Sequence, residues 1–394
     1  MAGDKTWAAN DVLTAADMNG YVRDQTTAIV TSGTRPTTTQ TGRTIYETDT
    51  GYRKQWDNTA SAWEDIGQSV KGLSNRNVIV NGNMAVRQRG NGPFTTANAY
   101  GIDQWKNFAS GSTFSNTAAA FTAAEIPSVA EGTTQYHYKT VVSSSAGAGN
   151  YVTMAQYLEG VHTLAGRVVT LSFWAKADAA RPIALEFLQN FGSGGSPSSE
   201  VDTFVGKPTL STSWTRYQYS FTAPSISGKT LGTANDFVGV NFWFDAGSTY
   251  NSRTSTLGQQ SGTFYIWGVQ LEEGSGATQF EQEPTQVTLA KCQRYLFAPT
   301  AEYILGQCIS TTRGIYPMRW PVGMRTTPTA TLPAAANWTP SDAGGTTKIG
   351  TTVTTAGINS NGGSIDLVIT TASFVAGNAS YVGCPTGTYL SAEL

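Results

Sequence analysis

The sequence predicts a mainly β protein built from several modules, and three observations lead to this prediction. Only 13% of the 394 residues are charged while 42 are glycine, so polarity comes from hydroxyl groups and backbone more than from charge. Short runs alternate between apolar and polar residues, and glycine- or proline-containing turns separate them. Between residues 76 and 283 no helical run of ten residues interrupts this pattern. We therefore expect antiparallel sheets joined by short connections.

The first module, residues 1–70, begins with a predicted helix. Thr14 followed by Asp17 is a variant of the capping box, since the hydroxyl can accept from a free backbone N–H and the carboxylate favours the positive helix end. Apolar residues then recur at three- and four-residue intervals to about residue 30: Met18, Tyr21, Val22 and Ile29. A helix this short and sparsely apolar is marginal alone in water. We expect these residues to pack against copies of the chain or a larger assembly; packing within one domain is the alternative.

A small β module follows the predicted helix. DTG at 49–51 and DNTAS at 57–61 are turn signals between short alternating runs. The large apolar residues of the module are too few to close a core in one copy: Ile45, Tyr46, Tyr52, Trp56 and Trp63. The module therefore favours a symmetric assembly, and we expect an intertwined homotrimer. Residues 67–75 are typical of a linker.

The central module, residues 71–283, contains strand after strand. In VVTLSFWAK the alternation is strict, with Val169, Leu171 and Phe173 on one face of a strand. Turns rich in glycine or proline, such as GSGGSPSS at 192–199, separate the strands. The pattern predicts an antiparallel sandwich of the jelly-roll kind.

The last module, residues 284–394, begins with a short linking helix and continues as a small β-sandwich. Pro284 suits the first turn of a helix, and Thr285 can cap it. One apolar stripe of this helix contains Leu289, Cys292 and Leu296. The strands that follow contain prolines at 317, 321, 328, 333 and 340, which indicate sheet edges or long loops.

Composition excludes several function classes. The formal net charge is −2 without any basic cluster, so we expect no nucleic-acid ligand. No run of about 18 apolar residues occurs, so we expect no membrane insertion. The N-terminal residues also lack the apolar region of a signal peptide.

Cysteine and histidine usage predicts neither a metal site nor a cofactor. The three cysteines, Cys292, Cys308 and Cys384, are widely spaced, and we expect each to be a buried apolar residue. The chain has two histidines, His137 and His162, in strand-like contexts without a nucleophile motif nearby. We therefore expect no catalytic triad and no zinc ligand set.

Specific residues resemble a known family. The runs YLEGVHTLAGRVVTLSFWAKADAARPIALEFLQNFGSGGSP (157–197) and SGTFYIWGVQLEEGSGATQFEQEPTQVTLAKCQRYL (261–296) are similar to the core of bacteriophage tail fibre and tail-associated receptor-binding proteins. NVIVNGNMAVRQRG (77–90) and YGIDQWKNF (100–108) resemble the start of the same module. IYPMRWPVGMRTTPT (315–329) resembles the segment after the helix in those proteins.

The front of the chain resembles the tail-proximal part of short fibres. VLTAADMNGYVRD (12–24), SGTRPT (32–37) and IYETDTGYRKQWD (45–57) contribute to this resemblance. It implies a trimeric virion protein that is assembled in the host cytoplasm and docks on other tail proteins through its N-terminus. It also implies a carbohydrate-binding-like jelly roll and a C-terminal tip domain that contact a bacterial surface polysaccharide.

Aromatic side chains in predicted loops are the candidate glycan contacts, because a flat ring can pack against the apolar side of a sugar and no strand periodicity explains these rings. The candidates are Phe191, Tyr250, Tyr316 and Trp338. The alternative for each is a loop that its own aromatic residue anchors.

Carboxylate pairs decide between a binding protein and a polysaccharide-cleaving enzyme. Glu272 and Glu273 are adjacent on a predicted strand, so their side chains point to opposite faces. Glu281 and Glu283 share a face, but they precede a helix, where negative charge is favoured. We therefore predict a non-enzymatic receptor-binding fibre without catalytic residues. A polysaccharide-cleaving tail protein, with acids from different strands or subunits, and a purely structural tail adaptor are the alternatives.

Overall fold

The structure is a computed structural model that describes residues 14, 28–37, 43–48, 52–59, 61–68, 75–125, 136–299, 302–342, 347–369 and 373–394. Strands dominate it, and two α-helices lie among the described residues. The mainly β prediction with sandwich sheets is confirmed. No helix in the described ranges is both long and apolar enough to cross a membrane.

The N-terminal sheet contains four strands in the order β1-β2-β3-β4. Their bounds are Ala28–Val30 (β1), Thr44–Glu47 (β2), Tyr52–Asp57 (β3) and Ala62–Gln68 (β4). β1 pairs parallel with β2, and the other pairs are antiparallel. Among the side chains described in this sheet, only those of Ile45 and Glu47 are buried. One copy of the sheet therefore has almost no core of its own.

The prediction of an N-terminal helix is wrong at the C-terminal end of that helix. Ile29 lies in β1, opposite Tyr46 of β2, and its side chain is 75% exposed. The β-branched pair Ile29-Val30 favours an extended backbone, which here also gains hydrogen bonds from β2. Met18, Tyr21 and Val22 lie outside the described residues.

The central part is a sandwich of two antiparallel sheets. Its strands are Ala99–Tyr100 (β5), Lys106–Ser110 (β6), Thr113–Ala120 (β7), Tyr136–Ser143 (β8), Tyr151–Glu159 (β9), Val168–Ala177 (β10), Arg181–Pro182 (β11), Ala184–Asn190 (β12), Val201–Gly206 (β13), Thr209–Leu210 (β14), Thr215–Thr222 (β15), Phe237–Ala246 (β16) and Gly262–Glu273 (β17). One sheet has the order β15-β10-β17-β8-β7, and the other has the order β13-β12-β16-β9-β6-β5. β11 pairs with β14 beside them. A short helix, α1 (Asn251–Thr254), follows β16.

The core of the sandwich lies between these two sheets. Val169, Leu171 and Phe173 of β10 all face it, as the alternation predicts. The ring of Phe173 packs edge-on against Phe242 of the opposite sheet at 5.1 Å between ring centroids. Large aromatic residues thus hold the two sheets together, and removing one such ring typically costs about 3–5 kcal/mol.

The linking helix, α2, spans Thr285–Gln293. Cys292 is fully buried, as the predicted apolar stripe requires, but the helix ends at Gln293. Leu296 is buried in the strand that follows, and Leu289 is only half-buried, so the prediction of one helical stripe through all three residues is wrong. Capping by Thr285 is wrong, because Pro284 occupies the N-cap position and no side chain caps the helix. All three cysteines are buried free thiols, as predicted.

The C-terminal part contains two further sheets. Its strands are Leu296–Phe297 (β18), Tyr303–Cys308 (β19), Arg313–Arg319 (β20), Thr329–Thr331 (β21), Pro340–Asp342 (β22), Gly350–Asn359 (β23), Gly362–Ile369 (β24), Ala379–Gly383 (β25) and Tyr389–Ser391 (β26). The sheet orders are β18-β26-β21 and β22-β25-β19-β20-β24-β23. Pro340 lies in an edge strand, as expected, but Pro317 lies within the inner strand β20. It is tolerated there because β19 pairs with β20 only at Gly314 and Ile315.

Gln88 joins the sandwich to the C-terminal part. Its side-chain amide donates to the carboxylate of Asp103 and to the carbonyl of Leu296, both at 2.7 Å, and accepts from the backbone N–H of Ala298 at 3.2 Å. An ion pair between Arg294 and Glu159 at 2.9 Å lies at the same junction. Specific polar contacts therefore hold these two parts together.

Candidate functional site

The outer face of the six-stranded sheet contains a groove of about 220 Å³. Its lining residues come from five strands or adjoining segments and from α1: Phe108, Tyr151, Thr153, Tyr157, Leu188, Glu200, Asn241, Trp243, Tyr250 and Arg253. We call this set, with Glu186 and Asp202 beside it, the groove.

Small residues let the groove sink into the sheet. Gly239 of β16 lies directly opposite Tyr157 on β9 and Leu188 on β12. A Cβ atom at position 239 would come within 2.9 Å of the Tyr157 ring and 3.0 Å of the Leu188 side chain. Glycine is therefore required for these side chains to lie close together over the sheet.

Aromatic rings flank the groove on two sides. On one side Tyr250 packs against Tyr151 and Trp243, with centroid distances of 5.0 and 5.1 Å. Trp243 is almost fully buried beneath its neighbours, while Tyr151 and Tyr250 remain half-buried. On the other side the half-buried ring of Tyr157 packs on Phe237 at 4.3 Å. The rings of Tyr151, Tyr157 and Tyr250 thus keep exposed surface beside the groove.

A buried carboxylate organises the polar part of the groove. The side chain of Glu186 has no exposed surface and accepts from Asn241 at 2.8 Å, from the Trp243 indole N–H at 3.0 Å and from Arg253 at 2.6 and 2.8 Å. Arg253 also lies 3.0 Å from Asp202. Because a buried charge needs a partner, these bonds hold the Arg253 guanidinium in one place.

Asp202 and Glu200 form a second carboxylate pair at the groove edge. Burial, together with the charges of Glu186 and Glu200 and a hydrogen bond to Glu200, raises the pKa of Asp202 to about 6, against the opposing influence of Arg253. Asn190 donates to Glu200 at 2.9 Å. Both carboxylates reach solvent, so they can contact a bound molecule.

Asn241 brings an unpaired acceptor into the groove. Its amide nitrogen donates to Glu186, while its buried carbonyl oxygen Oδ1 has no hydrogen-bond partner among the described residues. The residue is only 6% exposed. A buried acceptor of this kind is costly unless a bound molecule or water supplies a donor.

The outer face of the five-stranded sheet has a different character, because rings are buried there. Trp214, Trp267 and Phe280 form a buried cluster. His137 packs edge-on against Trp214 at 5.2 Å, and burial lowers its pKa to about 4. Glu125 accepts from Lys176 and from the Trp214 indole N–H. This face is a second core rather than an open surface.

The structure corrects three of the four predicted glycan contacts. Phe191 is 1% exposed within the sandwich core, while Tyr316 and Trp338 are 0% exposed in the core of the C-terminal part. A ring without exposed surface cannot pack on a sugar, so these residues anchor their loops and strands instead. Tyr250 is the exception, since it lines the groove.

Glu281 and Glu283 have structural partners. The carboxylate of Glu281 accepts from the backbone N–H groups of Asn75 and Asn77. That of Glu283 accepts from the Thr288 hydroxyl at 3.0 Å and from Lys291 within α2. Glu281 therefore ties the start of the sandwich to its end, and Glu283 stabilises the beginning of α2.

Four residues of the groove are not among the candidates predicted from the sequence: Tyr151, Tyr157, Glu186 and Arg253. Tyr151 and Tyr157 lie on the regular strand β9, whereas the candidates were aromatic residues in predicted loops. The alternation itself contained the signal, because Val152, Met154 and Leu158 on the same strand face the core. The two tyrosines must therefore face outward. In the described ranges no group of three or more His, Cys, Asp or Glu residues is placed to bind a metal.

Comparison with family models supports a carbohydrate-binding domain. The family model described as a carbohydrate binding domain (CBM_4_9) matches residues 106–233, which include the groove residues from Phe108 to Asp202. No curated protein is significantly similar to the chain.

Similar solved structures include a CBM4 module, which is 17% identical to this chain. The match covers 49% of this chain and 97% of that chain, with a TM-score of 0.28. A family 11 carbohydrate-binding module from Clostridium thermocellum, in complex with a β-1,3-1,4-mixed-linked tetrasaccharide, has 13% identity over 46% of this chain and 96% of its own, with a TM-score of 0.29. The enzymatically active domain of bacteriophage CBA120 tailspike protein 4 has 14% identity over 50% of this chain and 21% of its own, with a TM-score of 0.28. At these scores the similarity supports no conclusion about function. The family match supports a carbohydrate-binding domain in the central part of the chain.

Proposed function

We propose that this chain, with its carbohydrate-binding jelly roll, is a non-enzymatic receptor-binding tail fibre protein of a bacteriophage that binds a bacterial surface polysaccharide. The observation that carries the proposal is the groove, because it combines exposed ring surface with fixed polar groups on the domain that the carbohydrate-binding family matches. Ligand sites typically have this composition.

The groove offers two kinds of contact to a sugar. The exposed parts of Tyr157 and Tyr250 can pack against the apolar side of a pyranose ring. The Arg253 guanidinium, held by Glu186, and the unpaired Oδ1 of Asn241 can bond to sugar hydroxyl groups. Because Arg253 and Asn241 are already fixed by hydrogen bonds, little side-chain entropy is lost when a ligand binds.

The direct test measures binding of the purified chain to polysaccharide from the surface of a host bacterium. Tyr157→Ala and Tyr250→Ala each remove a ring that buries roughly 60 Å² against a sugar, so we expect about tenfold weaker binding for each. Tyr303→Ala is the matched control, because this tyrosine is 73% exposed in the C-terminal part. Equal binding by all four proteins would contradict the assignment of the groove.

The tail fibre role rests on the resemblance of the residues and on the N-terminal sheet. That sheet has an almost absent core and exposes Ile29, as expected of a module that packs against copies of itself and other tail proteins. We therefore propose a homotrimer in the virion that is assembled in the host cytoplasm. Light scattering should give three times the chain mass of 41.8 kDa; a monomer would contradict the trimer. Purified protein should also block phage adsorption, which a purely structural adaptor would not do.

The non-enzymatic part of the proposal follows from the positions of the acids. Glu186 is neutralised by Arg253, and Glu200 and Asp202 lie two residues apart on one side of the groove. Most glycoside hydrolases use two carboxyl groups that flank the bond to be cleaved. Incubation with host polysaccharide should therefore produce no new reducing ends. Release of oligosaccharides that Asp202→Asn abolishes would favour the polysaccharide-cleaving alternative.

A further inference from the structure

The groove contains more negative than positive charge. Three carboxylates, those of Glu186, Glu200 and Asp202, lie around the single guanidinium of Arg253. Glu186 is fully buried, and its two hydrogen bonds to Arg253 neutralise it. The carboxylates of Glu200 and Asp202 reach solvent. Asp202 pairs with Arg253 as well, but Arg253 already neutralises Glu186.

The groove also has more free hydrogen-bond acceptors than donors. The buried Oδ1 of Asn241 accepts no hydrogen bond from any described residue, although its residue is only 6% exposed and lines the groove. When ionised, the carboxylates of Glu200 and Asp202 add acceptors without adding donors. A molecule that matches this surface has to bring several donors, and it gains further from a positive charge.

We propose that the groove selects glycans that contain a protonated amino sugar, whose ammonium group donates to Glu200 and Asp202. This inference rests on the proposed glycan-binding function. The half-buried rings of Tyr157 and Tyr250 line the same groove and add favourable faces for a cation. The same excess of carboxylates repels uronic acids and other anionic sugars.

Binding of an ammonium group in the groove is coupled to the release of a proton. Asp202 is faced by Glu186 from β12, Glu200 from the segment before β13 and Arg253 from α1. Tyr157 on β9, beside Tyr151, interacts in turn with Glu200, Glu186 and Arg253. Near pH 6 the pair formed by Asp202 and Glu200 holds a proton for part of the time, since the pKa of Asp202 is about 6. An ammonium group between the two carboxylates favours their ionised forms and displaces that proton.

The experiment compares three oligosaccharides of equal length and identical β-1,4 linkage, which differ only at carbon 2: glucosamine, N-acetylglucosamine and glucose. Isothermal titration calorimetry with the full chain should give about tenfold tighter binding for the glucosamine oligomer than for the other two. Repeating the titration near pH 6 in two buffers of different ionisation enthalpy should show proton release for this oligomer alone.

The double variant Glu200→Gln, Asp202→Asn keeps the shape of the groove and removes its excess charge. It should lose the preference for glucosamine and the proton release, so that the three oligomers bind with the same affinity. Glu302→Gln is the matched control, because this exposed carboxylate lies in the C-terminal part. Unchanged thermal unfolding of the double variant would show that the loss is not a folding defect.

The outcomes separate the two levels of the proposal. Binding of the neutral oligomers as tight as that of the glucosamine oligomer would overturn the amino-sugar inference and leave the glycan-binding function intact. Retention of the preference by the double variant would overturn the assignment to Glu200 and Asp202. Failure of the wild-type chain to bind any of the three oligomers would also overturn the inference, whereas the proposed function is judged by the titration with host polysaccharide.

Discussion

Arg253→Met is expected to destabilise the sandwich strongly, although the side chain lies at the surface of a groove. Arg253 contributes two of the hydrogen bonds to Glu186, at 2.6 and 2.8 Å, and the Glu186 side chain has no exposed surface. Methionine keeps the approximate length of the side chain and removes its charge and donors. The substitution therefore leaves a buried carboxylate without a cation.

The magnitude follows from these contacts. Each hydrogen bond to a charged group contributes about 1.5–3 kcal/mol, and breaking a buried ion pair costs about 3–5 kcal/mol. Asn241 and Trp243 still donate to Glu186, which places the loss near the lower end of that range. We expect about 3 kcal/mol, which corresponds to a fall of roughly 6–12 °C in the melting temperature of a domain of this size.

Differential scanning calorimetry measures this fall, and a second substitution tests its cause. The double variant Glu186→Gln, Arg253→Met has no buried charge, so it should recover more than half of the lost stability. Arg313→Met is the control, since Arg313 pairs with Asp366 at an exposed position where water screens the pair. The reasoning is refuted if Arg253→Met melts like the wild type, or if the double variant is no more stable than Arg253→Met.

Three further predictions concern other buried groups. Burial lowers the pKa of His137 to about 4, below its unfolded value of about 6.5, so the folded chain should lose roughly 3 kcal/mol of stability as the pH falls from 6.5 to 4. In urea titrations His137→Gln should remove this loss, and the control His162→Gln should not. Cys292 is fully buried and burial raises its thiol pKa, so an aromatic disulfide reagent should label it only after unfolding. Glu281→Gln weakens the acceptor of two backbone N–H groups and should lower stability by about 1–2 kcal/mol in urea unfolding, whereas Glu273→Gln, at an exposed ion pair, should change it little.

The sandwich could be predicted from the sequence because its main signal is local. Alternation with a period of two assigns Val169, Leu171 and Phe173 to one face whatever the rest of the chain does. Whether an aromatic residue in a loop is exposed depends instead on residues that are distant in the sequence. Phe191 follows β12 directly, but the backbone then turns so that Ser193 pairs with Ala234, and the ring enters the sandwich core. Only the folded chain shows which loops turn inward.

The groove is hard to predict from the sequence because its floor has the composition of a core. On the outer face of the six-stranded sheet, Thr153, Ala155 and Leu188 are at least nine-tenths buried, so this face contains small and apolar residues like those of a core face beside its tyrosines. The position that distinguishes the two faces is Glu186, the one charged residue in ALEFLQN. A carboxylate in a strand buried on both faces must have a partner, and that partner, Arg253, comes from a helix 67 residues further along the chain. A lone acid within an apolar strand of a β-sandwich therefore predicts a polar centre on one sheet face, and in this chain that centre marks the groove.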